Sequence, residues 1–560
     1  MTTTTFKDAA HRADRVIRRP GRPGQFFKDD AGSMTIFGMF MLMCMMVMVG
    51  IGVDAMRHER ERAHLQYTLD RAVLAAADLD QPLSPQAVVE DYFAKAGLSD
   101  ALSNVQVTDT LGSRTVSATA ESTLPTFFMR MTGVDDLAVA TASTAQENID
   151  AVEISLVLDV SGSMNRHSRL SNLKVAAKDF VDEMFDNSVP GTITISIVPY
   201  ATQVSVPEEL FDELNVSEEH NFSRCINWAA DEFNTTTIST TEAYQRTMHF
   251  DPWNDFDGRD NGSSGELVRD PICEAEASRE ILLLEDDRTT LKTFIDNLFA
   301  DGNTSLDVGM KWGSILVDPT FRPIVQALAH PDVGLIDPSY ANRPVAHTDA
   351  ETIKVVVLMT DGQNTNQYYI EDGFREGPSN IWWNAEEEEY SVYDPPSDRY
   401  FIPHRDAWAD QPYGNGSDTV CDWRLDGFYW SYGCETEEQP GSAVQLSYPD
   451  LWAYTSMEWI VEDLYEPWMN DDLAWSRWYH DVQSSYGRSV KNTRTTNICG
   501  ASKDNGTVVF TIGFEAPDAS ETLLENCASS PSHYFDVEGL EISDAFSAIA
   551  SSIRALRLTQ

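Results

Sequence analysis

The hydrophobic pattern changes period several times along the chain, and the changes divide it. From Ala31 to Val53 no residue is charged, and Met34–Val53 reads MTIFGMFMLMCMMVMVGIGV. Such a run at helical rise spans the ~30 Å of a hydrocarbon core. The pattern then turns amphipathic. Leu65, Leu69, Ala72, Val73 and Ala76 fall on one stripe, which predicts that helix continues over Asp54–Asp78. A short helix is expected over Gln86–Gly97. Residues 104–145 alternate (VQVTDTL, TVSATAES, LAVATAS) as strands do. Helix plus small sheet makes an α+β stalk.

Beyond residue 150 the rhythm changes again. Glu153–Val160 (EISLVLDV), Thr192–Pro199 (TITISIVP), Lys354–Met359 (KVVVLM) and Thr507–Gly513 (TVVFTIG) are short apolar runs, the mark of strands buried on both faces. Helical spacing intervenes at Leu170–Phe185, Arg288–Phe299 and Leu306–Leu316, and follows at Ala519–Cys527 and Ile542–Leu556. Strands alternating with helices predict an α/β fold with a doubly wound, mostly parallel sheet. Two stretches break the alternation, at about 200–287 and 364–490. The second holds ten of the thirteen tryptophans and the acidic run Glu386–Glu389. The alternation is complete without it, so it is expected to be a partner-binding face and not core; the other reading is a self-contained subdomain that buries its own rings. The expected organisation is a basic segment at 1–33, a membrane-spanning helix at 34–53, a stalk at 54–148 and an α/β domain with insertions at 150–560.

Charge sets the direction. Seven cations (Lys7, Arg12, Arg15, Arg18, Arg19, Arg22, Lys28) against four acids precede the apolar run, while the whole chain carries −49. The positive-inside rule puts the N-terminus in the cytoplasm and the bulk outside, in a single pass. Strong acidity excludes nucleic acid as a partner, because phosphates would be repelled. The cysteines agree with export. Cys44 lies in the apolar run. The other six, Cys225, Cys273, Cys421, Cys434, Cys499 and Cys527, contain no C-x-x-C pair and suit disulfides in an oxidising compartment. Six cysteines allow fifteen pairings; neighbours are expected to pair, Cys225–Cys273, Cys421–Cys434 and Cys499–Cys527.

The candidate chemistry sits at strand ends. Asp159-Val160-Ser161-Gly162-Ser163 follows the first buried strand, and Met359-Thr360-Asp361-Gly362 ends another. Between them Asp301-Gly302-Asn303-Thr304-Ser305 opens a helix. D-x-S-x-S alone is weak, but three such loops on one rim of a parallel sheet lie where open α/β sheets bind ligands. Hydroxyl and carboxylate oxygens suit a hard divalent cation, Mg2+ or else Mn2+ or Ca2+. Ser161, Ser163 and Thr304 are the expected direct ligands. Asp159 and Asp361 would bind directly or through water. The plainer reading makes these residues helix caps and turn formers. Asp255–Asp260 (DFDGRD) lacks the spacing of a calcium loop and is expected to be a solvated acidic loop.

DVSGSM, GNTSLDVGM and LMTDG resemble the metal-ion-dependent adhesion site of von Willebrand factor A domains, with all five expected positions present in order. AGSMTIFGMFML, VGIGVDAMRHERERAHLQYTLDRAVLAAA and the C-terminal stretch NICGASKDNGTVVFTIGFE to FSAIASSIRALRLT resemble Tad (Flp) pilus-assembly proteins of the TadE/TadG type. The sequence departs from a prepilin at Phe37, where a glutamate would follow the cleaved glycine, so retention of the leader is expected. The resemblance implies a von Willebrand factor A-like fold and a non-enzymatic binding or assembly role in the bacterial inner membrane, with pilus or secretion-system proteins as partners. Two other functions stand beside it: a minor pilin-like structural subunit, and a metal-dependent hydrolase using Ser161 or an activated water. No G-x-S-x-G, H-E-x-x-H or G-x-x-x-x-G-K-[ST] supports the last.

Overall fold

In this computed structural model, described residues are 31–557 except 79–80, 82, 110–112, 149–150, 187, 189, 260–264, 350 and 427–428. The basic segment 1–30 and Asp260 thus lie outside them. The chain divides into two compact units, Met1–Asn148 and Ile149–Gln560.

In the first unit a single helix, α1 (Ala31–Ala77), carries the apolar run and continues past it without a break. Among the described residues it is the one helix long and apolar enough to cross a membrane. Its second half turns Leu65, Leu69, Val73 and Ala76 inward against Val89 and Phe93 of α2 (Pro85–Lys95). The same core takes Val116, Ala118 and Val139 from an antiparallel meander of β1 (Leu102–Asp109), β2 (Ser113–Pro125) and β3 (Asp136–Asn148). Asp54, the first charge after the run, is buried. It accepts hydrogen bonds from the amides of Phe127 (3.1 Å), Phe128 (2.7 Å) and Met129 (2.8 Å). Burial pushes its pKa up, but the three amides and Arg57 outweigh burial and hold it below the ordinary carboxylate value.

The second unit is built on a six-stranded sheet. Its strands are β4 (Ala151–Asp159), β5 (Ile193–Tyr200), β6 (Leu282–Glu285), β7 (Thr352–Thr360), β8 (Val508–Phe514) and β9 (Tyr534–Val537). Their order is β9-β8-β7-β4-β5-β6, parallel except for the edge strand β6. The doubly wound, mostly parallel sheet expected from the apolar runs is the fold of this unit. One face is covered by α3 (Arg169–Asp186), α4 (Arg288–Asn297) and the C-terminal helix Glu541–Arg557. The other is covered by α5 (Leu306–Ile315), α6 (Arg488–Asp504) and α7 (Asp518–Cys527). Helix α6 was not foreseen, because its buried face is Lys491, Arg494, Thr495, Ile498, Cys499 and Ser502 and has no apolar stripe. The Cys499–Cys527 disulfide ties it to α7.

The first insertion is divided: Val204, Leu210, Ile226, Trp228 and Phe233 pack on the core of the six-stranded sheet, and its later part joins the second insertion. Met248, Phe250 and Ile272 from the first share a core with Ile381, Val392, Phe401, Trp452 and Tyr465 from the second. That core backs a five-stranded antiparallel sheet, with Pro378–Asn384 and Ala443–Ser447 among its strands. The expectation of a tryptophan-lined partner face is corrected here, and the alternative of rings buried against one another describes the packing. Trp452 is fully buried, and Trp383, Trp408, Trp459, Trp468, Trp475 and Trp478 pack around it partly buried. Rings cluster because they bury most area against one another: Trp408 and Trp468 meet edge to face with centroids 5.2 Å apart, and Tyr465 stacks on Trp478 at 4.2 Å. Trp423, 59% exposed, stands outside this cluster, on a ribbon of Ser417–Asp426 and Tyr429–Glu438 joined by Cys421–Cys434. The acidic loop is also less solvated than expected. Asp257 is buried and accepts from Tyr390 (2.9 Å), and Arg259 reaches Asp450 (2.8 Å).

Two predictions follow from this packing. Helix α5 lies so close to the sheet that a Cβ on Gly313 would stand 2.3 Å from Val157 Cγ2. Gly313→Val should therefore cost at least ~1–3 kcal/mol in urea unfolding, through overpacking; an unchanged midpoint would contradict this approach. In the first insertion His249 is 3% exposed, and burial lowers its pKa to about 4. The folded state binds fewer protons than the unfolded one between the ordinary histidine value and about 4. Stability is thus full above ~6.5 and falls as pH drops toward 4, by about 2 kcal/mol at pH 5. His249→Gln should flatten that slope between pH 7.5 and 5 in denaturant titrations.

Candidate functional site

The site forms where the sheet changes winding direction. β4 leads to β5 on one side, and the chain later returns to β7 on the other side of β4. The C-terminal ends of β4 and β7 therefore border the crevice in which such sheets take ligands. Asp159 is the last residue of β4 and Asp361 follows β7; both are buried. Backbone hydrogen bonds bring the third loop in. Asp301 N donates to Val160 O and Gly162 N to Gly302 O, each at 2.9 Å.

All five residues singled out in the sequence meet here. Thr304 Oγ1 donates to Ser161 Oγ (3.0 Å), Ser161 and Ser163 share a hydrogen bond between hydroxyls (3.0 Å), and Ser163 Oγ donates to Asp361 Oδ1 (2.6 Å). Asp159 stands behind this chain. It accepts from Ser161 N (2.8 Å) and Thr360 Oγ1 (2.7 Å). Burial, and after it the charge of Asp361, raise the Asp159 pKa to about 7. Of the alternative roles, Ser161 makes no side-chain capping hydrogen bond, whereas Asp159 does accept from the amide two residues on, as a turn former does. Among the described residues no group of three or more His, Cys, Asp or Glu could hold a metal ion. Any cation here would depend on the hydroxyls. The donor set fits a hard divalent cation: two buried carboxylates and three hydroxyls, all oxygen, bonded largely to one another.

The sequence reading missed the residues that hold this array. Arg169, at the start of α3, donates from Nη1 to Asp361 Oδ2 and from Nε to Glu515 Oε2, both at 2.8 Å. Burial opposes the Arg169 charge, yet Glu515 and Asp361 raise its pKa. Glu515 is itself lowered, burial being outweighed by Arg169. Glu515 directly follows β8, so its place on the same rim was readable from the strand pattern. Lys491 carried no such signal. It rises from α6 beneath the Thr304 loop and donates to Thr304 O and Thr365 O at 2.9 Å each, and to Ser305 Oγ. Burial pushes its pKa down to about 8 against the pull of Asp307, which lies 4.0 Å away. Arg494 approaches the same carboxylate at 3.9 Å.

The second unit's mostly parallel six-stranded sheet carries the D-x-S-x-S, Thr304 and Asp361 loops on one rim. Residues 32–79 match the family described as "Putative Flp pilus-assembly TadE/G-like". No curated protein matches the chain. Among solved structures it is similar to the vWF domain of the type V pili tip protein Mfa5 from Porphyromonas gingivalis. That match has 14% identity and a TM-score of 0.31, over 73% of this chain and 97% of that one. It is similar to the adhesive tip pilin GBS104 from Group B Streptococcus agalactiae at 12% identity and a TM-score of 0.28, over 72% and 100% of the two chains. The pilus adhesin SpaC from Lactobacillus rhamnosus GG matches at 13% identity and a TM-score of 0.27. It covers 81% of this chain, which spans about a third (34%) of SpaC.

Lys491 gives the site its testable support. Lys491→Met leaves Asp307 buried with one cation fewer and frees the Thr304 loop, and should cost about 3–5 kcal/mol in denaturant unfolding. Asp307→Leu with Lys491→Met should cost less than the two single changes summed. Additive costs would show that the two charges act independently.

Proposed function

We propose that this chain is a membrane-anchored, non-enzymatic binding component of a Tad (Flp) type pilus system. It would grip a protein partner through a divalent cation held by Asp159, Ser161, Ser163, Thr304 and Asp361. The observation that carries the proposal is the hydroxyl chain from Thr304 through Ser161 and Ser163 to Asp361, set against the buried Asp159 carboxylate. Three neutral hydroxyls leave a divalent charge under-compensated, so a bound Mg2+ would offer an open position to a partner's carboxylate. Asp159 and Asp361 supply the charge that holds the ion. Ser161, Ser163 and Thr304 supply neutral oxygens, and Arg169 keeps Asp361 turned to the rim. The TadE/G-like region supports the pilus context. The apolar run, the cations ahead of it and the three disulfides support an inner-membrane anchor with the bulk outside.

Thermal unfolding of the full chain with and without Mg2+ tests this. A ligand that binds only the folded form stabilises it by ~2.7 kcal/mol at a hundred times its dissociation constant. Mg2+ should raise the Tm of the natural chain and of Asp255→Ala, an exposed acidic control. Asp159→Ala should lose most of that rise, and Ser161→Ala should lose partner capture in crosslinking of intact cells. An equal Mg2+ response in Asp159→Ala, with partner capture unchanged in Ser161→Ala, would reject the adhesion-site reading.

A further inference from the structure

The connector between β2 and β3 exposes a cluster of large apolar side chains. Phe127 is 66% exposed, Met131 67%, Phe128 41% and Val134 38%. In a soluble unit such a cluster would be a liability, and here its position explains it. Phe128 lies against Gly50 of α1, where an added Cβ would stand 2.5 Å from Phe128 Cγ. Gly50 sits inside the uncharged run, one helical turn before Asp54. The Asp54 carboxylate binds the amides of Phe127, Phe128 and Met129, so the connector is clamped at this height. Within about one helical turn of Gly50 the helix also exposes Met46, Val49 and Val53, so apolar side chains are exposed on both helix and connector at this height. Two arginines accompany these side chains. Arg57 lies over the Phe127 ring, 4.0 Å from its centroid, and Arg130 pairs with exposed Asp135 at 3.0 Å.

We infer that this connector is a second membrane contact, with Phe127, Phe128, Met131 and Val134 entering the leaflet that the C-terminal end of the apolar run reaches. The inference rests on reading Met34–Val53 as a membrane anchor. The occupant of the patch is phospholipid. Aromatic rings favour the boundary between acyl chains and headgroups, and the two arginines can lay their stems along apolar surface while their guanidinium groups meet phosphate. A soluble protein partner would have to reach Phe128 at the height of the hydrocarbon, beside Gly50. The connector would therefore fix the rotation and depth of α1 as well as its end, since two points of contact define an orientation that one helix does not.

Site-directed fluorescence in proteoliposomes of the full chain tests this. Cys44 is the free cysteine among the described residues; the other six are paired. In a Cys44→Ser background, Phe127→Cys and Met131→Cys are labelled with an environment-sensitive fluorophore, and Val107→Cys on β1 serves as an exposed control. The expected result is loss of fluorescence at 127 and 131 to a nitroxide carried on the lipid chains, with little loss to aqueous iodide, and the reverse at 107. A label on Cys44 in the natural chain reports the anchor. If 127 and 131 behave like 107 while the Cys44 label is lipid-quenched, the connector proposal falls and the anchor stands. If the Cys44 label is not lipid-quenched either, both fall. Shielding of 127 and 131 from both quenchers would point to a protein occupant, such as a second copy, and would overturn the lipid assignment.

Discussion

Two carboxylates that end neighbouring strands, buried with little but hydroxyls between them, are the constraint around which the second unit is arranged. Asp159 and Asp361 cannot both keep full charge in such a place without an opposing charge nearby. The fold answers on two levels. At the rim, Arg169 takes one oxygen of Asp361 and is itself balanced by Glu515. Beneath it, Lys491 braces the carbonyls of the Thr304 loop and faces Asp307. Electrostatics thus joins four segments far apart in sequence: the end of β4, the loop before α5, the end of β7 and helix α6. Removing Arg169 or Lys491 would leave a buried carboxylate with one cation fewer, which is why the array and the sheet edge form one structural problem.

The framework was legible because buried parallel strands leave short, nearly unbroken apolar runs, as in EISLVLDV, KVVVLM and TVVFTIG. The helices that cover them keep a helical stripe. The five rim residues were legible because they flank those runs at fixed places, directly after a strand or before a helix. The missing parts lacked these signals. Edge strands β6 and β9 are four residues each, too short for a period to show. Helix α6 buries lysine, arginine, threonine and serine, so hydrophobic periodicity has nothing to register. Arg169 and Glu515 are 346 positions apart, and their pairing exists only once the sheet has been assembled.

The tryptophan-rich segment shows the opposite failure. Its composition was conspicuous, but composition does not say whether rings face a partner or one another. The answer depended on the other insertion. Residues such as Phe250 and Ile272, from an excursion more than a hundred residues earlier, complete the core that buries Trp452. Neither stretch carries enough apolar surface in a regular pattern to advertise a subdomain, and their union is invisible to any reading that takes segments one at a time. Cys225–Cys273 closes the first excursion on itself, which limits the conformations open to it before the second is in place.

Helix α1 has a mechanical consequence. Its 47 residues form one unbroken rod, about 70 Å long at helical rise. One end is the apolar run, and the other is packed into the meander through Leu65, Leu69, Val73 and Ala76. A rod without a hinge transmits both pull and torque. A tug on the small sheet would reach the apolar run undamped, stretching the backbone hydrogen bonds of the helix in series. A twist would turn the whole run about its axis. The hydrogen bonds from the connector amides to Asp54 lie beside the middle of this shaft and act as a collar that resists such turning.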